Sequence, residues 1–178
     1  MKKTIDVFDH AGEILMGLKK GCLLTTKNGD FTNTMTIGWG HIGLEWNRLT
    51  FIAYVRESRH TRTMLDNHGE FTVNIAVGPV ERSILGICGT KSGRDMDKIK
   101  ELGLTLVDSD NVSVPGIKEL PLTLECKVIY KHPVDLSLIS EDIVKKFYPN
   151  ISTDPASVEQ DCHYEYGAEI VGAYLIEE

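Results

Sequence analysis

The chain has 178 residues, 42% of them hydrophobic and 25% charged, which is enough for one domain with its own apolar core. Its net charge of −7 argues against a nucleic-acid partner held through backbone phosphates. No apolar run approaches a membrane span, and the acids of Met1–Asp9 come too early for a secretory signal, so a cytoplasmic protein without a membrane partner is expected.

Phe8, Ala11, Ile14, Leu15 and Leu18 recur at helical spacing and predict an amphipathic helix over Asp6–Lys19, ended by Gly21. Cys22–Lys27 and Phe31–Trp39 read as strands. Asn28-Gly29 between them is a hairpin turn, because both residues accept the positive φ angles that a tight turn needs. Leu49–Val55 is a third strand, rich in β-branched and aromatic residues. Ser58–Asn67 reads as a short helix capped by Ser58, and Glu70–Val77 alternates as a half-buried strand does. Glu81–Cys88 is expected as a helix closed by Gly89, and Asp95–Leu102 as another, capped by Asp95. Leu120–Tyr130 and Tyr166–Ile176 are the last strands; residues 135–162, polar and containing Pro149 and Pro155, read as a helix with loops. Six or seven strands with short helices between them predict a mainly β protein, an antiparallel barrel with helical decorations.

Three segments carry polar chemistry. Asn33 to Gly40 is a strand with a polar edge ending in glycines, where another group can approach the backbone closely. Arg56 to Arg62 lies where a strand hands over to a helix. There free helix N–H groups, the Ser58 and Thr61 hydroxyls and the Arg59 guanidinium would suit one phosphate, although a solvated basic turn is an equal reading. Gly89 to Lys98 has two glycines, two hydroxyls and three cations but lacks the spacing of a P-loop. The four cysteines form no CxxC pair and read as packed free thiols. The six histidines lack zinc-ligand spacing, and neither GxSxG nor GxGxxG occurs.

In this order, Lys20-Gly-Cys-Leu-Leu-Thr-Thr, Asn33-Thr-Met-Thr-Ile-Gly-Trp, Ser58-Arg-His-Thr, Gly69-Glu-Phe-Thr-Val-Asn, Gly89-Thr-Lys-Ser-Gly-Arg-Asp and Leu124-Glu-Cys, the chain resembles the flavin reductase-like proteins, and most of all their flavoredoxin-type branch. The resemblance implies a Greek-key split β-barrel that binds FMN without a covalent bond, as a homodimer with flavin near the interface. By motif position, Asn33, Met35, Thr36 and Trp39 would border the isoalloxazine ring and ribityl chain, and Ser58, Arg59 and Thr61 would hold the phosphate. Ser92, Arg94 and Lys98 match the family's second cofactor loop, with Arg94 or Lys98 available to the ring if they face it. His163 is similar in position to a family histidine near the flavin's reactive edge, although the Gly167-Ala-Glu169 that follows shifts the family's glycine by one residue, and a histidine hydrogen-bonded at a strand start is nearly as good a reading. Such a chain is expected to be an oxidoreductase taking hydride from transiently bound NAD(P)H and passing electrons to a free flavin, a metal complex or a redox protein. An FMN-binding electron carrier without nicotinamide activity, or a flavin-binding sensor, are the alternatives.

Overall fold

The computed structural model describes residues 1–149 and 161–177. Ten strands and five helices follow one another: β1 (Lys2–Thr4), α1 (Ala11–Lys20), β2 (Cys22–Asn28), β3 (Phe31–Ile37), β4 (Gly40–Glu45), β5 (Arg48–Arg56), α2 (His60–His68), β6 (Glu70–Ile75), α3 (Arg82–Thr90), α4 (Lys98–Glu101), β7 (Leu106–Val107), β8 (Gly116–Ile117), β9 (Leu122–Pro133), α5 (Glu141–Phe147) and β10 (His163–Ile176). No described helix is long and apolar enough to cross a membrane.

The main sheet is antiparallel and runs β3-β2-β6-β9-β10-β5-β4, with β1 added to the far end of β10. Its two end strands, β3 and β4, are joined by only Gly38 and Trp39. The sheet must therefore curl until its ends meet, yet no ladder joins β3 to β4 among the described residues. The result is a barrel with an open seam. Fourteen-residue β10 is its spine, pairing with β9, β5 and β1. The register slips twice along β9–β10, at Gly167/Ala168 and Ile170/Gly172, and such bulges bend a strand enough to close a barrel.

Strand alternation sends Leu24, Met35, Phe51, Phe71, Val73, Leu124 and Tyr166 inward, where Ile14 and Leu18 of α1 plug one end. Leu23 points the other way, into an outer cluster with Ile84, Cys88, Leu104, Ile117 and Leu120 beneath α3 and α4. A third cluster, Leu136, Val144, Tyr148 and Cys162, seats α5 against the start of β10. All four cysteines are buried and form no disulfide among the described residues, and burial pushes the Cys22 thiol up to about 12.

Several boundaries differ from the sequence expectation. The first helix starts at Ala11, because the Asp6 carboxylate accepts the Phe8 N–H at 2.8 Å and holds residues 6–10 in turns. Arg59, not Ser58, is the residue before α2, and its side chain makes no cap bond. Helix α3 runs on through Gly89 to Thr90, while α4 shrinks to one turn capped by Asp97 rather than Asp95. β3 stops at Ile37 and β6 at Ile75; β10 begins three residues early, at His163, and β9 ends three late, at Pro133. β1, β4, β7 and β8 were not expected. Of the 135–162 segment, Leu136–Leu138 and α5 are helical, and residues 150–160 lie outside the described ones.

Gly167 faces Tyr130, its partner across the ladder, and a Cβ there would land on the phenol ring. Gly167→Ala is expected to destabilise the fold by about 1–3 kcal/mol through overpacking. Gly43→Ala, where a Cβ meets nothing within 4 Å, should be near neutral. Urea denaturation of both variants checks this; equal midpoints would refute it.

Candidate functional site

The seam carries a cleft. Leaving β3, the chain crosses to β4 through Gly38-Trp39-Gly40, and a Cβ at Gly40 would sit 2.9 Å from the Ile52 carbonyl oxygen, so only glycine fits that step. The cleft, about 220 Å³, is walled by Met35, Thr36, Ile37, Gly38, Trp39, Tyr54, Phe147 and His163, with Arg56 and Arg59 at its polar side. Trp39 packs edge-on against Phe147, ring centroids 5.2 Å apart, and lies 4.9 Å from the His163 ring. Flat aromatic walls beside backbone glycine suit a flat ring.

Met35 and Arg59 also border a second pocket of about 250 Å³, so the two adjoin. This pocket lies between the first turn of α2 and the 91–98 segment. Its lining brings together Asn33, Ser58, Arg59, Thr61, Lys91, Ser92, Arg94 and Lys98, against a single acid, Asp95. Asn33 Nδ2 donates to Thr61 Oγ1 at 3.0 Å, and a Cβ on Gly93 would collide with the Asn33 amide. An Arg94 guanidinium N–H donates to the Ser58 carbonyl at 3.0 Å, and the Arg94 amide donates to Ser92 Oγ at 3.1 Å. These contacts fold the loop over the helix start.

Lys98 is the informative residue. It is only 4% exposed, and its ammonium donates to the Lys91 carbonyl at 3.1 Å. Among the described residues no carboxylate pairs with it, nor with Arg59, Lys91 or Arg94. Burial, and then the Arg59 charge, pull its pKa below the ordinary lysine value, against an opposite pull from Cys88. A buried cation without a counter-ion is costly, and a pocket of such groups is complementary to an anion.

All eleven residues singled out in the sequence lie on these two pockets. Asn33, Ser58, Thr61, Ser92, Arg94 and Lys98 share the cationic pocket; Trp39, Thr36 and His163 line the cleft; Met35 and Arg59 border both. Lys98 and Arg94 therefore stand at the anion end, away from the aromatic cleft. The Thr36 hydroxyl is spent on the Leu85 carbonyl of α3, at 2.7 Å. His163 shares a 2.8 Å hydrogen bond with the Tyr148 hydroxyl, and burial, followed by the Arg56 charge, pulls its pKa to about 4. It is a neutral imidazole at neutral pH. Sequence reasoning missed Tyr54, Arg56, Phe147 and Lys91. Arg56 and Lys91 did carry a signal, lying in the basic turn and among the cations of Gly89 to Lys98, and Arg56 holds α5 by donating to the Phe147 and Asp161 carbonyls.

The family model for the flavin reductase like domain matches residues 20–156. The chain belongs to that family. An uncharacterized protein of Archaeoglobus fulgidus is 34% identical over 97 residues, which is 54% of this chain and 54% of that relative, so the chain matches about half of the relative's length. Among solved structures, the flavoredoxin of Desulfovibrio vulgaris (Miyazaki F) superposes with a TM-score of 0.65 at 22% identity, covering 88% of this chain and 69% of that one. An FMN-binding domain of a flavin reductases-like enzyme from Shewanella baltica OS155 gives 0.66 at 15% identity, over 98% and 77%. These likenesses establish the same split-barrel fold.

An unfolded histidine takes its proton near pH 6.5 and folded His163 only near 4. The neutral, hydrogen-bonded ring therefore contributes full stability above pH 6.5, and that contribution is lost as pH falls through this window. His163→Gln should flatten the fall in melting temperature between pH 6.5 and about 4. Parallel pH profiles for the two proteins would show that His163 is not responsible.

Proposed function

We propose that the chain binds FMN non-covalently, with the isoalloxazine ring in the aromatic cleft and the phosphate in the cationic pocket. The observation that carries this reading is Lys98, a buried ammonium among Arg59, Lys91 and Arg94 that has no carboxylate partner among the described residues. Ser58, Thr61 and Ser92 add hydroxyls; Thr61, having accepted from Asn33, keeps its own proton to donate. The pocket chemistry is that of a phosphomonoester site at a helix start.

FMN so held would supply one- and two-electron chemistry, and the protein's part is to place and insulate it. Trp39, Phe147 and Met35 would offer the ring apolar walls. His163 contributes a neutral edge, since its proton is held low and its Nδ1 is engaged with Tyr148. Arg56 and Arg59 provide positive charge beside the cleft, favouring an electron-rich guest.

The activity we assign is an oxidoreductase that draws electrons from transiently bound NAD(P)H and passes them to a free flavin, a metal complex or a redox protein. An electron carrier without nicotinamide activity is the second reading, supported by the structural likeness to a flavoredoxin. A cytoplasmic homodimer with the flavin near its interface suits the half-exposed Trp39 and Phe147 at the cleft.

The purified protein should be yellow and release FMN on denaturation; a colourless protein that also fails to bind added FMN would refute the reading. Stopped-flow mixing with NADH and NADPH separates reductase from carrier, since only a reductase bleaches the flavin band rapidly without a protein donor. Arg59→Ala should weaken FMN binding by on the order of 1.5–3 kcal/mol, the usual loss for a charge-assisted contact. Lys98→Met should weaken FMN binding while raising the melting temperature of the flavin-free protein, because the uncompensated buried charge is gone. Flavin retention through dialysis, equal to that of wild type in both variants, would move the phosphate elsewhere.

A further inference from the structure

A further cavity lies across Trp39 from the cleft. It holds about 460 Å³, shares Gly38, Trp39 and Tyr54 with the cleft, and takes its remaining apolar wall from Val134, Ile139 and Ile143. That volume falls within the roughly 300–1,000 Å³ of small-molecule sites, which join apolar walls to a few polar groups. Nothing in the FMN reading uses this space.

Its electrostatics are the reverse of the phosphate pocket. Among its described lining residues there is no lysine or arginine, and the one carboxylate is Glu165 on β10. Glu165 accepts from the Tyr54 hydroxyl and from His132 Nε2 at 2.8 Å. A carboxylate offers about four acceptor sites, so capacity remains for a ligand's donor. Burial, together with that carboxylate, pushes Tyr54 up to about 12, so the hydroxyl stays protonated and stays on Glu165. His41 meets the Tyr54 ring edge-on at 5.5 Å and stiffens this wall. A carboxylated or phosphorylated guest would face the Glu165 carboxylate with no lysine or arginine among the described lining residues to draw it in. A flat guest gains ring contacts with Trp39 and Tyr54.

We propose that this cavity is a binding site for a planar aromatic molecule, uncharged or cationic, that carries a hydrogen-bond donor: a phenol or an arylamine, its ring against Trp39 and its donor on Glu165. The site stands on its own geometry and does not depend on flavin in the neighbouring cleft.

Full-length protein as purified is titrated with p-cresol, aniline and benzoate by calorimetry, with saturation-transfer NMR as a second readout. P-cresol and aniline should bind and benzoate should bind roughly tenfold more weakly or not at all. Ile143, 44% exposed on α5, lines this cavity and not the cleft. Ile143→Arg fills the space and should abolish p-cresol binding, while FMN affinity measured on the same sample stays at the wild-type value. Glu165→Gln should cost roughly tenfold in p-cresol affinity by removing the charged acceptor. Benzoate binding as tightly as p-cresol, p-cresol binding equally to wild type and Ile143→Arg, or no binding at millimolar concentration would each overturn the proposal. The parallel FMN titration reports separately on the flavin reading.

Discussion

Asn33 places its side-chain amide where three segments meet, and the site depends on that meeting. Its Nδ2 donates to Thr61 at the start of α2, and its other face fills the space that a side chain at position 93 would need. At 2% exposed it has no water to fall back on. Losing the Thr61 partner would strand a buried donor, and any side chain at 93 would displace the amide. β3, the first turn of α2 and the 91–98 segment are therefore held as one body. The hydroxyls and cations of that body converge without relying on each other's flexibility.

What converges is positive charge in an acidic protein. The chain carries −7 overall, yet the pocket gathers Arg59, Lys91, Arg94 and Lys98 around one acid. Several other basic side chains on the described surface have carboxylate partners: Lys2 with Asp110, Arg62 and Lys131 with Asp66, Lys145 with Glu141. What sets this pocket apart is that its unpaired cations are clustered and that one of them, Lys98, is buried. Against a carboxylate-rich exterior that discourages polyanions, a single cationic pocket stands out by contrast.

Much of this was legible in the sequence where chemistry and local pattern coincide. Asn28-Gly29 dictates a hairpin whatever surrounds it, whereas Ser58, Arg59 and Thr61 beside a helix start read equally as an anion site or a solvated basic turn from their types alone. β4 was not legible, because Gly40 and Gly43 dilute any strand propensity and only pairing with β5 makes Gly40–Glu45 extended. The short β1 and β7–β8 pairings depend equally on distant partners. Tyr54 and Phe147 reach the cleft from residues 15 and 108 positions beyond Trp39, a proximity that only barrel closure and the seating of α5 produce. Ser58 as a cap was a local inference that tertiary structure overrode. Its amide donates to the Asp161 carboxylate at 2.9 Å, tying the turn to the start of β10.

The seam explains why Trp39 matters more than its place in a motif suggests. The end strands of the curled sheet are consecutive here, so two residues must bridge them, and glycine on either side of Trp39 leaves the indole as the one side chain at the crossing. It becomes a partition. On one side lies an aromatic cleft next to a cationic pocket, and on the other an apolar cavity lined by a carboxylate. A guest's charge therefore decides which side of Trp39 it can occupy: anions are drawn toward Lys98 and Arg59, donor-bearing neutral rings toward Glu165. One indole borders both, and the two-residue bridge is what sets it there as a wall common to two spaces of opposite charge preference.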